Sequence, residues 1–307
     1  MKYTDTDIQM RQPECVAVSV LRAAAVVCIL FCHLFEAYGA AGSGLFYVGV
    51  PMFFAISGFL YGKRTITNWR QWVLRRMMKL YLPYLLFIVP VLLLYFVFKP
   101  GEMPVSAACM YLFNLQGFSG SVVGLNHLWF VTAIMACYML LPCLQRLQRQ
   151  RTLALLLSWL FFLLLYVFFN GRFYWLPLYS IVYFSALSHL KTSWCAAMAV
   201  LCLQAFCPGL DEAVRYSLVR NLVGLLIVFS TLILYVKSGK NSLSRSVKWL
   251  SDISYPLYLV HNLLMVGPFS LSRATPYTCL NVSLMLACSL GLALLLQRVA
   301  YFAGKKF

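Results

Sequence analysis

The stretch LRAAAVVCILFCHLFEAYG, residues 21–39, decides how the chain is read. It is apolar enough to lie in a lipid bilayer, yet it carries Arg22, His33 and Glu36. An ionised side chain at the centre of a membrane helix costs roughly 2.5–3.5 kcal/mol, whereas a Leu returns only about 0.3–0.6 kcal/mol. A membrane helix keeps such groups when they face a protein interior or a water-filled cavity. At about 100° per residue, Arg22 and His33 are three turns plus about 20° apart, so they share one face, roughly 16 Å apart along the axis. Glu36, three residues past His33, is its neighbour on that face. A buried ion-pair network that fixes helix packing explains this stripe as well as a reaction path does.

Outward from that stretch, the composition sets the class. Of the 307 residues, 62% are hydrophobic and 11% charged, with a mean hydropathy of +0.81. A soluble domain carries far more charge. The chain therefore reads as an all-α, polytopic membrane protein. Apolar runs place ten helices at about 16–38, 46–62, 80–98, 125–143, 153–169, 173–190, 193–207, 219–236, 250–267 and 278–298. An eleventh run, 105–124, holds Asn114, Gln116 and several Gly and Ser residues, and is expected to be an outer re-entrant or loop segment. Residues 1–40 are too long an apolar run, and too interrupted by Arg22 and His33, for a signal peptide. Residues 1–307 read as one membrane domain, with no appended hydrolase-like domain.

The charge pattern supports this layout. With both termini in the cytoplasm, nineteen of the 25 Lys and Arg residues fall on the inner side and five on the outer, with Arg22 inside the first helix. That is the asymmetry the positive-inside rule expects. It would break downstream of residue 124 if 105–124 crossed the membrane. The formal charge of +17 thus reflects topology and an anion site, which argues against nucleic acid as a partner. The eleven Cys are scattered through apolar runs with no metal-site spacing.

Other polar residues fall at defined depths. His127, in LNHLWFV, and His261, in ISYPLYLVHNLL, join His33 in the outer half of the membrane on different helices. His189 lies beside Lys191 at an inner end and reads as interfacial. Three His could bind zinc, but no two sit at ligand spacing on one helix, so no metal is expected. On the inner side, NWRQWVLRRMMKLYLPY places Arg75, Arg76 and Lys79 at helical neighbour spacing, with Trp69 and Trp72 nearby. This is a topology anchor in an aromatic belt, a phosphate clamp, or both. GVPMFFAISGFLYG carries small residues suited to close helix packing; Ser57 has no nucleophile-elbow context.

Five of these segments, in order, resemble the membrane-bound acyltransferase-3 family across nearly the whole chain. They are LRAAAVVCILFCH, GVPMFFAISGFL, LRRMMKLYLPY, HLWFVTAIMACYMLLP and ISYPLYLVH. Lys79 departs from the family pattern, which usually has Arg there. The resemblance implies a bacterial inner-membrane enzyme that transfers acyl groups, often acetyl, to carbohydrates. It implies Arg22 and His33 as paired functional residues between an inner donor site and an outer acceptor.

On this reading the donor is cytoplasmic acetyl-CoA or another acyl-CoA, and the acceptor a glycan or glycolipid. His33 is the expected general base, since an imidazole titrates near neutrality. Glu36 would orient its ring, and Arg22 would stabilise the thioester oxyanion or hold the donor. Arg75, Arg76 and Lys79 would bind the CoA phosphates. His127, Trp129, Tyr258 and His261 are expected in substrate binding. The rival reading is a glycan or glycolipid transporter or flippase, which also needs a polar cavity and a basic mouth. No paired repeats with interrupted helices support it. A third reading is a non-catalytic relative serving as a membrane partner protein.

Overall fold

The computed structural model describes residues 12–62, 66–118, 122–147 and 212–304, with a few single positions between 150 and 202. Every regular element among the described residues is helical. They are α1 (Gln12–Ala37), α2 (Gly49–Gly62), α3 (Trp69–Phe98), α4 (Val105–Leu112), α5 (Trp129–Arg146), α6 (Glu212–Ser238), α7 (Arg245–Met265) and α8 (Thr278–Gly304). Short 3-10 turns precede α2 at Ser43–Val48 and α5 at Asn126–Leu128. The expected helices at 153–169, 173–190 and 193–207, and His189, lie outside the described residues.

Helical membrane segments follow from the need to pair every backbone N–H and C=O where water is absent. Six of the described helical segments are long and apolar enough to cross a membrane: Gln12–Ala37, Ser43–Gly62, Trp69–Phe98, Asn126–Arg146, Arg215–Ser238 and Thr278–Gly304. The chain is thus a multi-pass membrane protein. The segment 105–124 behaves as expected for a non-spanning one. Among its described residues the one α-helix is the eight-residue α4, followed by turns. Eight residues rise about 12 Å, well short of a hydrocarbon core of about 30 Å.

The expected span at 250–267 is a helix, α7, but it is not among the six. Its apolar run is broken by Ser251, Asp252, Ser254, His261 and Asn262. From Ser251 to Met265 most of its side chains are buried by protein, so lipid does not dictate their character. Pro256 removes the N–H that would bond the Asp252 carbonyl, and Gln297 Nε2 of α8 donates to that carbonyl instead, at 3.3 Å.

Residue contacts divide the chain into two compact units. The first comprises residues 1–25, 47–69 and 136–248. Here α2 and α6 pack so closely that a Cβ on Gly224 would come within 2.7 Å of Pro51. Ser57 donates to the Tyr138 hydroxyl at 3.3 Å, which suits the packing role its small-residue neighbours suggest.

The second unit comprises residues 26–46, 70–135 and 249–307. α1 ends here on Gly39, whose φ of +61° reverses the chain. The Gly39 N–H then bonds the Glu36 carbonyl and the Ala40 N–H the Phe35 carbonyl, a paired stop for the last turn. The outward faces of α3 and α8 are apolar, with Leu93, Val97, Phe98, Leu295, Tyr301 and Phe302 all exposed. These are surfaces for lipid.

Candidate functional site

The second unit gathers three of the four His residues of the chain. His33 comes from α1, His127 from the turn before α5, and His261 from α7. Their ring centres are 6.2 Å (His33–His127), 5.2 Å (His33–His261) and 5.1 Å (His127–His261) apart. All three are buried, at 6%, 4% and 0% exposure. The depth argument from sequence placed them at one level; the structure makes them neighbours.

Hydrogen bonds fix the tautomer of each ring, because carbonyls and carboxylates only accept. His33 donates from Nδ1 to Glu36 Oε2 at 2.7 Å, so in the neutral ring Nε2 keeps a lone pair. This is the i, i+3 neighbour relation expected on α1, and it has the base-plus-orienter form of a catalytic histidine. His127 donates from Nε2 to the Leu259 carbonyl at 3.1 Å, and its Nδ1 is buried with no partner. His261 donates from Nδ1 to the Tyr258 carbonyl at 2.8 Å, and its Nε2 is buried with no partner. The cluster therefore holds three basic nitrogens, two of them sealed from water without an acceptor or donor opposite. Leaving such a group unmet costs about 1–3 kcal/mol. That cost is recovered when a hydroxyl or other donor comes to the site.

The frame of this cluster was not legible in the sequence. Asn126 Oδ1 accepts both the His127 N–H, at 3.1 Å, and Asn262 Nδ2, at 2.9 Å. The turn carrying His127 is thus pinned to α7 by a pair of Asn residues. Asn262 is fully buried and its Oδ1 has no partner, a third unmet polar atom beside His261. Tyr258, expected to bind substrate, gives its hydroxyl to the His127 carbonyl and meets that imidazole edge to face, with ring centres 5.4 Å apart. Gly124 and Gly267, both at positive φ, let two loops meet backbone to backbone: a Cβ on Gly267 would lie 2.9 Å from Gly124 Cα. The only sequence signals for this frame are the polar Asn126 and Asn262 flanking His127 and His261.

The remaining expected residues lie elsewhere. Trp129 opens α5, partly buried, with its ring 6.5 Å from Phe130. Arg75, Arg76 and Lys79 are on one helix, near the start of α3, with the Arg76 guanidinium 5.9 Å from the Trp72 ring. Near the other end of α3, the Tyr95 hydroxyl donates to the Val123 carbonyl at 2.7 Å, next to the His127 turn. Sixteen residues separate Lys79 from Tyr95, or about 24 Å of helix axis. The basic cluster and the histidine turn thus mark opposite ends of α3. Arg22 lies on α1 within the first unit. Among the described residues no group of three or more His, Cys, Asp or Glu is arranged to hold a metal ion.

Comparison with known proteins adds one finding. The acyltransferase-3 family model, described as an acyltransferase domain, matches residues 16–298. No curated protein and no solved structure matches the chain significantly.

Proposed function

This chain belongs to the acyltransferase-3 family, and we propose that it is a membrane O-acyltransferase moving an acyl group, acetyl first among them, from cytoplasmic acyl-CoA to a hydroxyl of a cell-surface or lipid-linked glycan. The bacterial inner membrane is its proposed location. The observation that carries the reading is the buried cluster of three imidazoles, each with its tautomer set and a basic nitrogen left over.

In this mechanism His33 Nε2 takes the proton of the acceptor hydroxyl while the oxygen attacks the thioester carbonyl carbon. The carbon–sulfur bond breaks, CoA leaves as a thiolate, and the proton held on His33 returns to sulfur. Glu36 keeps the ring oriented and stabilises the imidazolium that forms. His127 Nδ1 and His261 Nε2 accept hydrogen bonds from the acceptor's hydroxyl groups. Arg22, about three helical turns from His33 on α1, is assigned to holding the donor. Arg75, Arg76 and Lys79 clamp the phosphates of CoA, whose long arm suits the distance along α3.

The test is transfer of labelled acetyl from acetyl-CoA in membranes containing the protein. Loss of transfer in a folded His33→Ala variant is expected, and a folded variant with full activity overturns the assignment. Ten spans with both termini cytoplasmic is part of the proposal. Single cysteines at Thr67 and Ser43, with exposed native cysteines replaced, should label from opposite sides, Thr67 from the cytoplasm. Labelling of both from one side would refute the arrangement of an inner donor and an outer acceptor.

A further inference from the structure

The first unit holds an arginine that acyl transfer does not use. Arg220 lies in the early part of α6, close to the start of the apolar segment Arg215–Ser238. Its guanidinium carbon is 4.6 Å from the ring centre of Tyr47, in the 3-10 turn before α2, and 4.7 Å from that of Tyr216, one turn back on α6. Nη2 donates to Ser217 Oγ at 3.0 Å. Nε is buried and has no hydrogen-bond partner. Among the described residues Arg220 forms no ion pair.

This arrangement satisfies one half of a guanidinium and leaves the other. Two aromatic rings within 5 Å answer the positive charge through the ring quadrupole. They accept nothing from the N–H groups, which lie in the plane. Ser217 takes one of five donors. The guanidinium is planar and rigid, so its fork of donors is preorganised as a unit. A fork of N–H donors with no carboxylate partner among the described residues matches one ligand chemistry, the paired oxygens of a carboxylate or phosphate.

We propose that Arg220, set against the rings of Tyr47 and Tyr216, is a binding site for a ligand oxyanion, either carboxylate or phosphate. The site stands apart from the acyl-transfer reading, and its test reads binding rather than activity. Two sources carry this chemistry: the acidic group of a soluble or glycan ligand, and the headgroup of an anionic lipid.

The experiment uses the full chain in nanodiscs of neutral phosphatidylcholine, titrated with inorganic phosphate and with glucuronate, and in nanodiscs containing phosphatidylglycerol. Thermal unfolding and calorimetry follow binding in the native protein, Arg220→Gln and Arg220→Lys. Saturable stabilisation by phosphate or glucuronate in neutral discs, abolished in Arg220→Gln and weakened at least tenfold in Arg220→Lys, is expected if the ligand is soluble. Stabilisation confined to phosphatidylglycerol discs, with the same dependence on Arg220, assigns a lipid headgroup. If Arg220→Gln does not fold, Arg220→Lys carries the test, since it keeps the charge and loses the fork. Equal responses in native and Arg220→Lys protein, or no response in any arm, would overturn the site.

Discussion

Two adjacent helices, α7 and α8, each bury an Asn, and the two residues are treated in opposite ways. Asn281 of α8 is saturated. Its Oδ1 accepts from the Thr275 N–H and hydroxyl at 2.9 and 2.8 Å, and its Nδ2 donates to the carbonyls of Ser272 and Thr275, both at 2.9 Å. It ties the loop before α8 down and has nothing left to offer. Asn262 of α7 makes a 2.9 Å bond to Asn126 and keeps Oδ1 unmet, one residue from an imidazole whose Nε2 is also unmet. A saturated buried polar group offsets its own desolvation and is structural. An unsaturated one has capacity left for a partner, a buried water or a ligand group. Ser289 of α8 is also buried without a partner, but a serine hydroxyl can rotate onto the carbonyl four residues back, a freedom an imidazole lacks.

The comparison is sharpened most by the ring that has both an orienter and a spare nitrogen. His33→Ala should lower kcat for acetyl transfer by about 10²–10⁴-fold, the usual contribution of a general base, with the protein still inserted and folded. His33→Ala activity within a few-fold of native would place these rings with the structural group. Next in size is the far end of α3. Arg75→Glu or Arg76→Glu should raise KM for acyl-CoA by about tenfold or more, with KM for the acceptor little changed, as expected for lost ground-state contacts to the donor. If these residues serve topology alone, protein level falls and KM of the surviving enzyme stays put.

Asn262→Ala should cost about tenfold in kcat, near the 1.4 kcal/mol that one net hydrogen bond supplies to holding the His127 turn. Its melting temperature should move less than that of Asn281→Ala. Asn281→Ala should behave in the reverse manner. It should lose about 1–3 kcal/mol of stability, from loop groups left unpaired, while kcat of the folded fraction is unchanged. A drop in kcat for Asn281→Ala without a drop in melting temperature would break the distinction between the two residues. The smallest effect is expected for Lys79→Arg, which keeps the charge on α3 and should shift KM for acyl-CoA by less than about threefold, well under 1 kcal/mol.

How much of this was legible in the sequence can be judged residue by residue. The apolar runs located α1, α5, α6 and α8 to within several residues, because length and hydropathy alone decide what crosses a bilayer. α3 begins eleven residues before its expected start, because the basic stretch Trp69–Lys79 is continuous with the span. α7 was the harder case. The apolar run at 250–267 located the helix, Arg245–Met265, but a helix enclosed by protein need not be apolar, so hydropathy does not rank it with the spans. The neighbouring pair of His33 and Glu36 was readable, since helical spacing fixes which residues meet three positions apart.

The sequence by itself determined the class of the protein, the asymmetry of its charge and the polar face of α1. Each of these depends on composition or on the 3.6-residue period, and so on residues close together in the chain. Only the tertiary structure decided that His33, His127 and His261 share one cluster, which tautomer each holds, and that Asn126 and Asn262 pin the turn between them. His127 and the Leu259 carbonyl that sets its tautomer are 132 residues apart. Their meeting depends on the close approach of Gly124 and Gly267 and on how whole helices fit together, a matter of shape that no single stretch of residues carries.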